Sequence, residues 1–512
     1  MLPYFALALI AGNALSCLGA DPPLIRREGV VNAGSQRPPS VGGQISAGSL
    51  ISIHGIRFSD DVASLAVRLI TKAGSSQLSI NRADSRMLEA WIPLGAPLGP
   101  AQIVVQAGGL NSPPISFVLV KSALGLFSVN GNGWGPGKAN ISGDKPAKPG
   151  QIISLFATGV APRQPVEVWV GGQVAKVLRA AEGPAHVVEL SVQLPLGTPA
   201  GCFIPVYGRS PGSSMSNTVT IAVQRGAGAC ARSKDDILSA MQSGKSAVFV
   251  LSRTVSRSQG AGKDQIEDQA VAGFSDIAAE NMTKSLLWMS PPAGTCTTYG
   301  TVLDTDTPDA ASVTGLFLDA LAGGSLDAGT GLSVDNGQEQ LRMLSITGTR
   351  NIYQRILRSA IPTAPQRAIF SLAGGNFHIT GTGGKDVGRF RVAIPAPEPF
   401  EWTNRAQFTS ITRTKPLPFV WSGAAPNGKM AILLSAATTE NNVAGLVFCV
   451  APASAGRFQV SPELLAVLPS ETVEARLIFW PASTAADGSV AGVSHVIPLS
   501  LFVHSAKFLL PR

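Results

Sequence analysis

The sequence predicts an all-β chain, built as tandem β-sandwich domains followed by a β-rich C-terminal half. Three observations carry that prediction. The first is composition: the 512 residues include only 14% charged side chains but 55 glycines and 37 prolines. Few charges and many turn residues, in a chain rich in Val, Ile, Ser and Thr, favour short strands joined by tight turns. The second is the length of the apolar runs. Leu50–Ile56, Leu65–Thr71 and Ile115–Val120 are six or seven residues long, with glycine, proline or serine between them. The third is an internal repeat. Ala47 to Ile53 reads AGSLISI, and PGQIISL at Pro149 to Leu155 lies 102 residues later. At the same offset, Pro93-Leu94-Gly95, Pro97 and Gly99 meet Pro195-Leu196-Gly197, Pro199 and Gly201. Matches far apart at one offset mark a duplicated unit.

The elements follow in order. Residues 2–15 are apolar apart from Asn13, and no charged side chain precedes Asp21. Residues 1–20 are therefore expected to be an export signal cleaved after Ala20, with lipid modification of Cys17 as a second possibility. Asp21 to Pro39 reads as a polar leader, and residues 21–123 as the first repeat. Several strands in about 100 residues suggest a β-sandwich of immunoglobulin type. Lys121 to Lys148, rich in Gly, Asn and Pro, is either a linker or a long loop packed on the second repeat, residues 124–228. In that repeat Val166, Val168 and Val170 alternate with Glu167 and Trp169, the period of a half-buried strand. Gly171-Gly172 then turns the chain into QVAKVL, because glycine takes a positive φ without strain. The register of the repeat predicts that Leu50 matches Ile152, that Val104 matches Val206, and that both prolyl turns have one shape.

Beyond Gly226 the composition shifts. Ser233 to Asp236 has the pattern of a capping box opening a short helix through Met241. Short apolar runs return from Leu286. They divide into two further β-rich units, 229–395 and 396–512, at a boundary placed on Pro395 and Ala396. Removing the signal leaves Cys202, Cys230, Cys296 and Cys449. An even number in an exported chain suggests two disulfides. Four cysteines allow three pairings; locality favours Cys202 with Cys230, which leaves Cys296 with Cys449.

Residues that could carry chemistry are few. The five histidines, His54, His186, His378, His495 and His504, form no HExxH and no close pair, and zinc spacing is absent. G-x-S-x-G occurs at Gly208 to Gly212, but Pro211 and Gly212 deny the serine the helix that a nucleophile elbow needs. Asp304, Asp306 and Asp309 lack the loop glycine and closing glutamate of a calcium loop, so a solvated turn is expected. Gly381 to Gly388 lacks the ending of a phosphate loop and sits among strands. No catalytic residue, cofactor or metal ligand is assigned. A net charge of +8 without a basic block argues against a nucleic-acid partner. Trp169, opposite the buried valines, suits either a sugar platform or, more often, packing under a loop or a neighbouring domain.

Several segments are similar to a family of uncharacterised secreted acidobacterial proteins with tandem immunoglobulin-like repeats of the IPT/TIG type. They are Gly131 to Asn140, Pro149 to Gly159, Gly171-Gly172, Leu194 to Gly201 and Ser216 to Val223, with VVNAGS at Val30 to Ser35 resembling the repeat's opening. Arg179-Ala180-Ala181 departs from the family's Tyr-Ala-Gly. The C-terminal half resembles an element often appended to such repeats. The resemblance implies fold and export and brings no chemistry. The expected function is a non-enzymatic protein, secreted or on the cell surface, without a transmembrane segment in the mature chain. It would serve in adhesion, in binding an extracellular polysaccharide or protein, or as a structural spacer. The alternative is a secreted hydrolase or accessory subunit with its site in residues 229–395.

Overall fold

Two consecutive sandwiches repeat one strand order. The computed structural model describes residues 21–183, 187–231, 243–257, 264–278, 289–302, 324–346, 351–358, 370–409, 411–438, 443–482 and 488–510. The signal segment with Cys17, the helix expected over 233–241, His186 and the Asp304 cluster lie outside the described residues. The first sandwich holds β1 (Leu24–Asn32), β2 (Ile45–Ser46), β3 (Leu50–Ile56), β4 (Leu65–Thr71), β5 (Gly74–Ala83), β6 (Met87–Trp91), β7 (Gly99–Ala107), β8 (Leu110–Asn111) and β9 (Ile115–Val120). They lie in the order β1-β3-β6-β5-β4-β7-β9-β2, with β8 on β7. The second holds β10 (Gly125–Leu126), β11 (Ile152–Thr158), β12 (Glu167–Val170), β13 (Gln173–Glu182), β14 (Val188–Gln193), β15 (Gly201–Arg209) and β16 (Val219–Val223). Their order, β10-β11-β14-β13-β12-β15-β16, is the same path, and no strand of one completes the sheet of the other.

Each sandwich closes around one long strand. The start of β5 pairs with β4 and its end with β6, so the chain passes from one layer to the other; β13 does the same between β12 and β14. Both strands carry a bulge at the crossing, at Asn81 and at Leu178, which bends the strand where the layers meet. The core lies between the layers: Ile51, Ile53, Leu88 and Ala90 face Val67, Leu69, Ile103 and Val105 in the first. The prolyl turns match as well. Ala96 N donates to Pro93 O at 3.0 Å and Thr198 N to Pro195 O at 3.1 Å. Gly48 and Gly150 stand opposite these turns at φ +76° and +83°, where a Cβ would press on Leu94 or Leu196.

One expected pair does not match. Val206 belongs to the second core, whereas Val104 is buried outside the first core, beside Ile103 and Val105, which are in it. The cause is a bulge between Gly201 and Ile204 that inserts one residue into β15 against β16. Past that point Ile103 corresponds to Val206, and Val104 to Tyr207, because a slip of one turns each side chain to the other face. Leu50 and Ile152 do share a strand position. Leu50 is covered, at 4% exposure, and Ile152 is bare, at 51%.

The polar leader contributes β1, which pairs with β3. The segment after Lys121 is a loop packed on the second sandwich, bridging Pro136 to Thr220, Ala139 to Leu155 and Ala147 to Val223. The boundary at Pro395 and Ala396 is corrected by the third unit. Its ten-stranded sheet takes β17 (Gly244–Arg257), β18 (Gln265–Ile277) and β19 (Thr295–Val302) from one side of that boundary. Lys429–Thr438, Val443–Pro452, Thr472–Trp480 and His495–Leu509 come from the other. β17 runs parallel to His495–Leu509 over twelve residue pairs, so the two segments share one sheet. Both of its faces are apolar: Phe249 and Phe274 pack under a four-stranded sheet that includes Asn376–Gly381 and Phe390–Pro395, while Val248, Val250 and Leu433 lie on the reverse. This explains the unbroken apolar runs of strands such as Val443–Pro452.

Candidate functional site

The most elaborate polar construction among the described residues lies where the three units meet. Asn32, at the end of β1, donates from Nδ2 to Ala123 O at 2.9 Å, and its Oδ1 accepts from Gly34 N and Ser35 N. Gly34 is pressed against the backbone of Gly125, leaving no room for a Cβ. Asn217 answers from the second unit. Its Nδ2 reaches Leu126 O at 2.8 Å, Gly133 O at 2.7 Å and Gly34 O at 3.3 Å, while its Oδ1 accepts from Leu126 N at 2.8 Å. Ser46 Oγ donates to Gly159 O, and Leu50 N to Thr158 Oγ1, so β3 of the first unit abuts the end of β11.

Arg37 carries the joint into the third unit. Its Nη1 donates to Ser216 O at 3.0 Å and its Nη2 to Thr298 Oγ1 on β19; Thr298 also bonds Thr218 at 2.8 Å. Trp134 meets Tyr299 edge to face with centroids 5.6 Å apart. Arg37 is 5% exposed, and burial alone pushes its guanidinium down to about 10. A small cleft opens beside it, lined among others by Ser35, Gly42, Gly43, Ser214 and Asn217.

The structure joins Cys202 to Cys230 and Cys296 to Cys449, the second pair directly across β19 and its neighbour. Trp169 is half-buried and stacked on Tyr207 with centroids 5.8 Å apart, and the Arg209 guanidinium sits 5.4 Å from its ring. Arg209 also pairs with Glu167 at 2.8 Å. The Tyr207 hydroxyl is pushed up by burial and then by Glu463, so this face looks toward the third unit. Ser210 ends β15 in a turn bonded to Ser122, with no helix after it. Gly381 to Gly388 connects two antiparallel strands. His378 faces Asp335, which Arg391 holds at 3.3 Å. His504 is buried: its Nε2 lies 2.8 Å from Phe400 O and its Nδ1 3.1 Å from Arg405 Nη1, while Arg405 pairs with Asp264. Since guanidinium only donates, Nδ1 accepts and Nε2 carries the proton. Burial, ahead of the other influences on it, holds the imidazole below its ordinary value. Among the described residues no three His, Cys, Asp or Glu side chains gather as a metal site. No described helix is long and apolar enough to cross a membrane.

Sequence reasoning missed Arg37, Thr298 and Arg405, which stand in no motif. Asn32 and Asn217 lay inside VVNAGS and SNTVTIAV, strings quoted for the repeat, so their signal was present without a role attached.

No family model matches the chain, and no curated protein matches it. Solved structures give weak likenesses. A tetra-tandem repeat from the extending region of a large adhesion protein is 11% identical over 94% of this chain and 98% of that one, with a TM-score of 0.14. SGBP-B from a complex xyloglucan utilization locus in Bacteroides uniformis is 12% identical over 66% and 86%, at 0.18. Domains A168–A170 of titin are 9% identical over 66% and 89%, at 0.14.

Proposed function

We propose that this protein is a non-enzymatic, exported scaffold that holds two immunoglobulin-like sandwiches in a fixed relation to a large β-rich unit. The observation that supports this best is the joint. Asn32 and Asn217 spend buried hydrogen bonds on contacts between units, and buried polar groups specify one geometry when their partners are met. A flexible string of domains would need none of them. Two disulfides suit an oxidising compartment outside the cytoplasm. Trp169, Tyr207 and Arg209 form the aromatic surface best suited to touch a polysaccharide or protein, although the indole already engages both neighbours. The purified mature protein, incubated with a panel of polysaccharides and peptides, is expected to release no product. Turnover of any of them would refute the non-enzymatic reading and favour a hydrolase.

A further inference from the structure

The two disulfides have different surroundings. Cys296 and Cys449 face each other across adjacent strands of the ten-stranded sheet and are 8% and 0% exposed, inside an apolar core. Cys202 and Cys230 are both half-buried, so solvent reaches the pair. Cys202 lies at the bulge that opens β15, and Cys230 lies in the stretch that leaves β16 for the third unit. That stretch is loosely held. Arg225 to Ala229 are exposed, and the second core takes Val219, Ile221 and Val223 from β16 but nothing from Arg225 to Ala231. A Cβ on Gly226 or Gly228 would meet nothing within 4 Å. Arg225 Nη2 donates to Thr198 O at 3.3 Å and Cys230 N to Gly143 O at 2.7 Å. The Gln224 side chain bonds within the stretch, to Ala227 O and Ala231 N. The disulfide is therefore the chief fastening of an exposed, glycine-rich connection.

We propose that Cys202–Cys230 is a redox-operated clasp: an external dithiol opens it in the folded protein, and opening bares the Arg225–Gly226 peptide bond to a trypsin-like protease. One thiolate of the dithiol attacks a sulfur of the pair, forming a mixed disulfide and releasing the other cysteine. The second thiolate of the dithiol then displaces the remaining cysteine. The dithiol ends as a disulfide, Cys202 and Cys230 end as thiols, and the two protons of the dithiol end on them. Exposed disulfides are the labile and regulatory ones, whereas a thiolate has no access to a bond buried in a core. Exposed loops of small residues are also where proteases cut, and cutting follows the population of the locally opened chain. Asn32, Asn217 and Arg37 lie outside this stretch, so failure of the clasp would leave the scaffold reading as it is.

The test treats the folded mature protein with dithiothreitol, blocks new thiols with N-ethylmaleimide and maps them on peptides. Cys202 and Cys230 should be labelled while Cys296 and Cys449 remain joined. Trypsin should then cut after Arg225 faster in the reduced, blocked protein than in the oxidised one, by about tenfold or more, because the freed stretch opens locally more often. Cys202→Ser combined with Cys230→Ser should show the fast cut without reductant, and reductant should not change it. Simultaneous opening of both bonds, earlier opening of Cys296–Cys449, or equal cleavage after Arg225 in the two forms would each overturn the proposal. The labelling and the wild-type digestion decide the matter even where the double variant does not fold.

Discussion

At the scale of single residues, two buried side chains have measurable consequences. Asn217 makes four bonds to the backbone of two units, and Asn217→Ala leaves their partners unmet in a buried place. The loss expected is about 1–3 kcal/mol, the desolvation penalty of orphaned polar groups, read by urea unfolding. A change below a few tenths would mean that the joint does not depend on it. His504 predicts a pH effect. Its folded form is neutral because Arg405 donates to Nδ1, and burial depresses its affinity for a proton. The unfolded chain takes up that proton near pH 6.5, so the contribution of His504 is complete above 6.5 and is lost as pH falls toward the depressed folded value. Wild type should therefore lose stability relative to His504→Gln between pH 7 and pH 5.5; parallel pH curves would contradict it. The sequence offered His504 as an unpaired histidine, and nothing within its own neighbourhood announced Arg405, which arrives from 99 residues away.

At the scale of elements, the disulfides differ in reach. Cys202 and Cys230 are 28 residues apart, Cys296 and Cys449 are 153 apart. In the chain-entropy model the long closure is worth about 5 kcal/mol and the short one about 3.5 kcal/mol. Replacing Cys296 and Cys449 by alanine should lower the unfolding midpoint of the third unit more than replacing Cys202 and Cys230 lowers that of the second. The reverse order in calorimetry would count against this. Gly150→Ala should also destabilise the second sandwich, by about 1 kcal/mol or more, since it combines a left-handed backbone with a methyl against Leu196. The repeat made these elements legible: the shared turns at Pro93 and Pro195 and the strands β3 and β11 sit at the offset the sequence shows. What the offset concealed was the bulge at β15. At the shared offset Val104 meets Val206, both apolar, while the inserted residue exchanges inward for outward, so pattern alone assigned Val206 the wrong counterpart.

At the scale of the whole molecule, the sandwiches were readable and the third unit was not. Its first and last long strands, β17 and His495–Leu509, lie parallel although about 250 residues separate them, and no local signal specifies such a pairing. Its strands are covered on both faces, which erases the alternation that would have revealed their order. The joint was equally hidden, because each of its residues is ordinary in its own repeat and acquires a role only against another unit. That joint is the central claim, and small-angle X-ray scattering of the mature protein tests it most directly. A fixed arrangement predicts one particle: a single set of coordinates, with Asn32 against Ala123 and Arg37 against Thr298, should fit the profile from low to high salt. Asn217→Ala should broaden the distance distribution. A wild-type profile that can be fitted only by a mixture of inter-unit orientations would contradict the account.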